Sequence, residues 1–278
     1  RARAAGAARM SLTMTLTSQP PESGEAFDIL VRGLTGEPRP ALFLDVDGTL
    51  LDIAPRPDEV VVPPSLRRSL ARIHDALEGA LALVSGRPVD ELDRLFAPLR
   101  LPAAGAHGAH WRTHSAGRTE TLPGLALPTP LRAQLLALQE RHPGLILEDK
   151  HTSIAIHFRE RPALARALAG AVGRIVEAAG DESVVVLPGK AVLEVKRSGF
   201  DKARAIRILM ASEPFLGRRP IFIGDDVTDR IALDAVSAAG GIALSVERPL
   251  GNVCAVFASA AEVRAAIERV ADLMEAST

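Results

Sequence analysis

Tyrosine is missing from this 278-residue chain, and tryptophan and cysteine each occur once. With Cys254 alone, no intrachain disulfide and no cysteine-rich zinc site can form, which fits a reducing compartment. An excess of one charge is missing too: 33 Lys plus Arg stand against 34 Asp plus Glu, a formal net charge of -1. That balance removes the long-range attraction that nucleic acid or an anionic membrane would require. The expected partner is a small soluble molecule. No apolar run approaches the roughly 20 residues that span a bilayer, and the expected location is cytoplasmic. The lack of Tyr beside many Ala, Arg, Gly and Pro is compatible with a GC-rich coding sequence and carries no chemistry.

Residues 1–26 read as a disordered extension: the first 19 hold three Arg and no acid, but lack the continuous apolar stretch of a secretory signal. Order begins with ALFLDVDGT, where Ala41 to Val46 are apolar except for Asp45 and are ended by Asp47-Gly48, as in a strand buried on both faces. PPSLRRSLARIHDALE then places Leu66, Leu70, Ile73 and Leu77 on one helical stripe, with proline in the first turn. LALV, SGR and PVDELDRLF continue a β-α-β-α order that predicts a parallel sheet. The pattern changes near Arg112 and resumes near Gly199 with the helix DKARAIRILM, the strand PIFIG, the helix TDRIALDAV, the strand IALSV and a last helix. Between the two halves lie a helix, two strands, a second helix and two more strands, which read as an inserted α/β unit.

In open α/β sheets ligands sit beyond the carboxyl ends of the strands, and those ends are loaded here. The first strand ends in Asp45-Val46-Asp47-Gly48-Thr49, the next in Ser85-Gly86-Arg87, and IFIG in Asp225-Asp226 with Asp229 close behind. So many carboxylates in one crevice repel one another unless a cation neutralises them. An all-oxygen set suits a hard divalent ion, and Mg²⁺ is the one expected. Structural readings stand beside these: Asp229 suits a turn or a helix N-cap as well as a site role. Ser85-Gly86 could be a plain strand-to-helix turn, and Lys202 a first-turn residue, although lysine there opposes the helix dipole.

DVDGT, SGR, Lys202 at the start of its helix and GDDVTD occur in the order of the four motifs of the haloacid dehalogenase superfamily of phosphatases. The chain resembles that superfamily from about Ala41 to its C-terminus. The resemblance implies a Rossmann-like parallel-sheet core over 27–122 and 197–278, with a smaller α/β cap inserted over 123–196. It implies Asp45 as nucleophile, Asp47 as general acid and base, and Lys202 as a charge stabiliser. It further implies Asp225 bound to the metal with the Asp45 carboxylate and the Asp47 backbone carbonyl, Asp226 and Asp229 acting through water or in support, and Gly48, Thr49, Ser85, Gly86 and Arg87 around the phosphate. Two departures are visible. Arg230 stands where the trehalose-6-phosphate phosphatase pattern usually has Glu, and Ala203 where it commonly has Gly.

Within the insertion, TSIAIHFR and AVLEVK alternate apolar and polar residues, so each strand has one packed face. Taken alone, the polar face reads as solvated. Its pattern nevertheless resembles the cap of trehalose-6-phosphate phosphatases, matched by Glu148, Lys150, His157, Arg159, Lys190 and Glu194, whose charges suit a polyhydroxylated ring. GAHGAHWR resembles the same family's Gly-x-His-Gly stretch and adds His107 as a substrate contact. Zinc on His107, His110 and His114 is disfavoured by Gly105 and Gly108, which oppose an aligning helix, and Trp111 reads as packing. The expected activity is Mg²⁺-dependent hydrolysis of trehalose-6-phosphate through an aspartyl-phosphate. The alternatives are a capped phosphatase of the sucrose-phosphate or mannosyl-phosphoglycerate type, a phosphomutase, and a non-catalytic sugar-phosphate-binding regulator.

Overall fold

The fold is that of a computed structural model, which describes residues 23–54, 59–150, 152–189 and 191–276. Helix α1 (Ser23–Thr35) leads into strand β1 (Pro40–Leu44), then α2 (Pro64–Ala76), β2 (Leu81–Val84), α3 (Val89–Phe96), β3 (Ala103–Gly105), β4 (His110–Arg112) and β5 (Glu120–Thr121). The insertion follows as α4 (Thr129–Leu136), α5 (Leu138–Arg141), β6 (Ile146–Asp149), β7 (Ser153–His157), α6 (Ala165–Ala179), β8 (Val184–Gly189) and β9 (Val192–Arg197). The chain returns through α7 (Lys202–Met210), β10 (Arg219–Gly224), α8 (Arg230–Ala238), β11 (Ile242–Val246), β12 (Ala255–Phe257) and α9 (Ala260–Ala276). Among the described residues no helix is long and apolar enough to cross a membrane.

Two sheets result, each with its own apolar cluster. The larger has the order β12-β11-β10-β1-β2-β3-β4-β5, parallel from β12 to β3 and antiparallel from β3 to β5. Its central strands β1 and β2 are buried at every residue, as a parallel sheet covered on both faces requires. The stripe Leu66, Leu70, Ile73 and Leu77 packs into the core cluster of this sheet. Helix α1 corrects the expected extension to residue 26. Ala26 and Leu30 are fully buried in the same cluster, so residues 23–26 belong with the core, while 1–22 lie outside the described residues.

The smaller sheet is antiparallel, in the order β6-β7-β9-β8. Its register pairs Ile154 with Val195 and Ile156 with Leu193, and this apolar face packs with Leu131, Leu135, Leu168 and Val172 of α4 and α6. The same register lines up Glu148, Ala155, Glu194 and Leu187 across the opposite face. That face turns toward the carboxyl ends of the larger sheet, with Lys150, His157 and Glu194 lining a cavity beside Asp45 and Asp47. It is not the solvated surface that periodicity alone suggests.

The hairpin of β3 and β4 is pinned by a buried cation. Arg112 is 1% exposed; its guanidinium donates to both carboxylate oxygens of Asp93 at 2.8 and 2.6 Å and to the Leu101 carbonyl at 2.6 Å. Arg112→Met should therefore lower unfolding stability by about 3 kcal/mol, the low end for a broken buried pair because Asp93 keeps some contact with water. Urea unfolding followed by circular dichroism measures this. A loss under about 0.5 kcal/mol, the size of an ordinary surface substitution, would show the pair to be without structural weight.

Candidate active site

The parallel register puts the chemistry at one edge of the larger sheet. Leu44 pairs with Ile223 in the ladder and the Asp45 N–H donates to the Ile223 carbonyl at 3.0 Å, so Asp45 and Asp225 emerge side by side. The Asp45, Asp225 and Asp229 carboxylates are all buried, and one oxygen from each lies within 4.8 Å of the others. Lys202 reaches them from the first turn of α7, donating to Asp45 Oδ1 and to Asp229 Oδ1, both at 2.6 Å. The start of that helix is fixed by Asp201, whose side chain accepts the Arg204 N–H at 2.7 Å.

Asp229 carries both roles that its sequence allowed. Its Oδ1 meets Lys202, while Oδ2 accepts the N–H groups of Asp225 at 3.1 Å and Asp226 at 3.0 Å. It therefore joins the acidic cluster and shapes the turn. Asp226, expected to act at the metal site through water or in support, caps that turn and lines the cavity, and is not one of the three converging carboxylates.

Burial pushes the Asp45 carboxyl well above the usual carboxylate range, and the neighbouring Asp229 and Asp225 add to this while Lys202 opposes it. Burial also works against a charged Lys202, but Asp229 and Asp45 outweigh it and raise its ammonium above the ordinary lysine value. Lys202 thus joins two of the three carboxylates. The donor set is all oxygen and buried, which fits a hard divalent cation. Gly48 leaves room for this arrangement: its φ is +87°, and a Cβ there would stand 2.2 Å from Asp225 Oδ2.

Asp47 sits at the cavity wall with its carboxylate clasped by Arg87, Nε to Oδ2 at 2.7 Å and Nη2 to Oδ1 at 2.8 Å. Arg87 is braced by Glu91 one turn on, in an i, i+4 pair. The Ser85 hydroxyl lies at the cavity and accepts the Arg87 N–H at 3.1 Å. Thr49 departs from its expected place at the phosphate: it is fully buried and its hydroxyl donates inward to Asp45 Oδ2 at 3.2 Å.

Two adjoining cavities of about 150 and 180 Å³ lie between the sheets and share Asp47, Arg87, Lys150, His157, Asp225 and Asp226. In their roof Glu194 accepts the Ser153 hydroxyl at 2.6 Å and meets His107 Nε2 of the larger sheet's rim at 2.5 Å. Lys150 donates to the Gly86 carbonyl at 3.3 Å and stands 3.7 Å from Glu148, which meets His157 Nε2 at 3.2 Å. Arg159 donates to the Ala54 carbonyl. Burial opposes ionisation of Glu194, yet His107 and Lys150, with hydrogen bonds from His107 and Ser153, hold it far below the usual range. Lys190 lies outside the described residues. Sequence reasoning missed Ser153 and Glu91, although the period-2 alternation of β7 and the i, i+4 spacing of Glu91 from Arg87, just ahead of α3, carry the signal for each.

The departures from the expected pattern are local. Arg230 is largely exposed and approaches Asp234 at 3.8 Å on its own helix, so it leaves the acidic cluster unaltered. Ala203 is buried in the core cluster, where its methyl group adds to the packing.

The chain matches the trehalose-phosphatase family over residues 43–253. It is 40% identical over 210 residues to a probable trehalose-phosphate phosphatase of Sinorhizobium fredii, covering 76% of this chain and 78% of that one. It is 39% identical over 208 residues to the trehalose-6-phosphate phosphatase of Escherichia coli, covering 74% and 77%. In fold it is similar to the C-terminal domain of Candida albicans trehalose-6-phosphate phosphatase, with TM-score 0.76 at 18% identity over 88% of this chain and 96% of that one. The mostly parallel sheet with its inserted α/β unit is similar in fold to phosphatases of the haloacid dehalogenase type, and the relatives just named are hydrolases of phosphoric monoesters, the class to which this chain belongs. Within that class the chain belongs to the trehalose-phosphatase family.

A divalent cation at this cluster should show without turnover. Mg²⁺ at a hundredfold excess over its Kd should raise the wild-type Tm by about 5 °C or more, read by differential scanning fluorimetry. Asp225→Asn and Gly48→Ala should each abolish the shift. An equal Mg²⁺ shift in both variants would place the ion elsewhere.

Proposed function

We propose that this protein hydrolyses trehalose-6-phosphate to trehalose and phosphate, through an aspartyl-phosphate on Asp45 and with Mg²⁺ as cofactor. The observation that carries the reading is the position of Asp45, buried against Lys202 at the floor of a cavity whose roof is a row of charged groups from the insertion. A carboxylate in that place can attack phosphorus and divide one slow hydrolysis into two displacements. Asp45 and Asp225, with Asp229 behind them, would hold Mg²⁺, which when bound supplies positive charge and polarises phosphoryl oxygens.

The chain's own groups divide the remaining work. Lys202 keeps Asp45 oriented and offers fixed positive charge where negative charge grows in the transition state. Ser85 and Gly86 line the cavity where phosphate oxygens would lie. Asp47, two residues beyond Asp45, is placed to protonate the leaving sugar oxygen and later to take a proton from water. Its clasp by Arg87 holds the carboxylate in place before substrate arrives. Protonation of the leaving oxygen requires that clasp to loosen as the ester enters.

Recognition of the sugar falls to the insertion. Glu148, Lys150, Arg159 and Glu194, with Lys190 outside the described residues, offer charged acceptors and donors suited to a ring with many hydroxyls. Glucose-6-phosphate could satisfy the floor but would match only part of the roof. A cytoplasmic setting goes with a doubly charged substrate that does not cross membranes unaided.

A phosphate-release assay over sugar phosphates with and without Mg²⁺ tests the reading. Trehalose-6-phosphate should exceed glucose-6-phosphate in kcat/KM by at least about tenfold, since each roof charge whose partner is displaced and not replaced by a well-placed hydroxyl costs about 1–3 kcal/mol. Asp45→Asn should release no phosphate from either. A wild-type preference for glucose-6-phosphate would remove trehalose, and phosphate release by Asp45→Asn near the wild-type rate would remove the nucleophile. Asp47→Asn should slow turnover of sugar phosphates at least about a hundredfold, the usual range for a general acid, and turnover of an aryl phosphate with a good leaving group much less. Equal losses on both would make Asp47 a structural residue.

A further inference from the structure

His107 is buried at the meeting point of the two sheets, and its backbone is held in a conformation that histidine rarely adopts. Its φ is +54°, and Ala106 before it has φ +47°, two consecutive left-handed residues without glycine. The surroundings impose this. The His107 N–H donates to the Ser85 carbonyl at 3.0 Å and the Ala106 N–H to the Arg87 carbonyl at 2.8 Å, tying the turn to the loop after β2. On the other side, a Cβ at Gly108 would stand 2.6 Å from the Asp201 carbonyl at the head of α7. The imidazole lies on Gly86, where a Cβ would approach Nε2 at 2.7 Å. The turn is thus wedged between the two core segments that carry Ser85 and Lys202.

From this fixed base the ring crosses to the insertion. Nε2 meets Glu194 Oε2 at 2.5 Å, while Nδ1 is buried and has no hydrogen-bond partner among the described residues. Glu194 accepts hydrogen bonds as a carboxylate, so the Nε2 that faces it is the donor. A carboxylate has about four acceptor sites. Ser153 takes one on Oε1 and His107 one on Oε2, leaving the others for hydroxyl donors. Without His107, Glu194 keeps among the described residues the hydrogen bond from Ser153 and the approach of Lys150 at 3.9 Å, both from its own sheet and the loop beside it.

We propose that His107 is a positioning residue, whose Nε2–H aims Glu194 at the sugar and couples the seating of the insertion to the phosphate-side loop of Ser85 and Gly86. This rests on the assignment of sugar recognition to the insertion. It differs from the expectation that His107 itself contacts substrate, because the nitrogen available for that contact is already committed to Glu194. Direct recognition would require the pair to separate.

Two substitutions separate the alternatives, because an asparagine amide nitrogen falls near Nδ1 of histidine and a glutamine amide nitrogen near Nε2. Asparagine also tolerates the left-handed conformation, so His107→Asn keeps the turn while failing to reach Glu194. The measurement is kcat and KM for trehalose-6-phosphate and for p-nitrophenyl phosphate in wild type, His107→Asn, His107→Gln, Glu194→Gln and the double variant His107→Asn/Glu194→Gln, with Tm as a folding control. His107→Asn should lower kcat/KM for trehalose-6-phosphate about tenfold to a hundredfold, the range for losing a hydrogen bond to a charged group. That loss should fall mainly on KM and exceed the loss on the aryl phosphate. His107→Gln should recover most of it, and the double variant should be little worse than Glu194→Gln alone. Additive effects in the cycle, equal losses on both substrates, or no recovery with glutamine at unchanged Tm would overturn the proposal. Failure of the wild type to hydrolyse trehalose-6-phosphate would instead overturn the trehalose reading, and this proposal with it.

Discussion

Three carboxylates and one ammonium, all out of contact with bulk water, set the terms for the rest of this molecule. Asp45, Asp225 and Asp229 converge within 4.8 Å, and Lys202 is the cation bonded to two of them. Burial and the two neighbouring acids raise the pKa of Asp45, and Lys202 opposes them. The glycines around the cluster follow from the same crowding. A Cβ at Gly48 would overlap the Asp225 carboxylate, and one at Gly224 would stand 2.6 Å from that of Asp229.

The cluster also explains how the chain can be interrupted without losing its core. Asp45 comes from β1 and the other three members from segments that follow the insertion, so the two halves must be brought together before the charges can be paired. Apolar burial does this: β1 lies between β2 and β10, and all three strands are buried in one cluster. The inserted sheet has its own cluster with α4 and α6, so its packing makes no demand on that core. Its polar face is then available for the cleft.

Much of this was legible in the residues, for identifiable reasons. A continuous apolar run ended by Asp, as at Asp45 and Asp225, marks a buried parallel strand and the ligand edge of its sheet at once. The alternation in β7 and β9 likewise identified the packed face through Ile154, Ile156, Leu193 and Val195. Periodicity cannot say what lies opposite the other face, and that is where the reading stopped. Thr49 turning inward to Asp45, Asp229 serving both Lys202 and two backbone N–H groups, and His107 reaching Glu194 across 87 positions are products of tertiary packing. Helix α1 was hidden for another reason: its buried stripe follows directly on a polar, Arg-bearing segment, and composition averaged over both resembles a tail.

The roof of the cleft shows what kind of recognition this architecture can perform. Its charged groups are already satisfied: Glu194 by His107 and Ser153, Lys150 by the Gly86 carbonyl with Glu148 and Glu194 nearby, and Arg159 by the Ala54 carbonyl. Burial disfavours the charged form of both Lys150 and Glu148. Glu194 and Glu148 overcome this for Lys150, and His157 and Lys150 overcome it for Glu148, so each remains ionised and keeps a fixed sense as donor or acceptor. A sugar entering such a network exchanges hydrogen bonds instead of adding them to vacant groups. The exchange is favourable only if the incoming hydroxyls replace every partner they displace. A small phosphate ester that stays on the floor disturbs nothing and gains nothing from the roof. A ring that reaches the roof with hydroxyls misplaced strands a buried charge, and that penalty exceeds what one good contact returns. Selectivity in this fold therefore arises from the cost of partial substitution in a paired network.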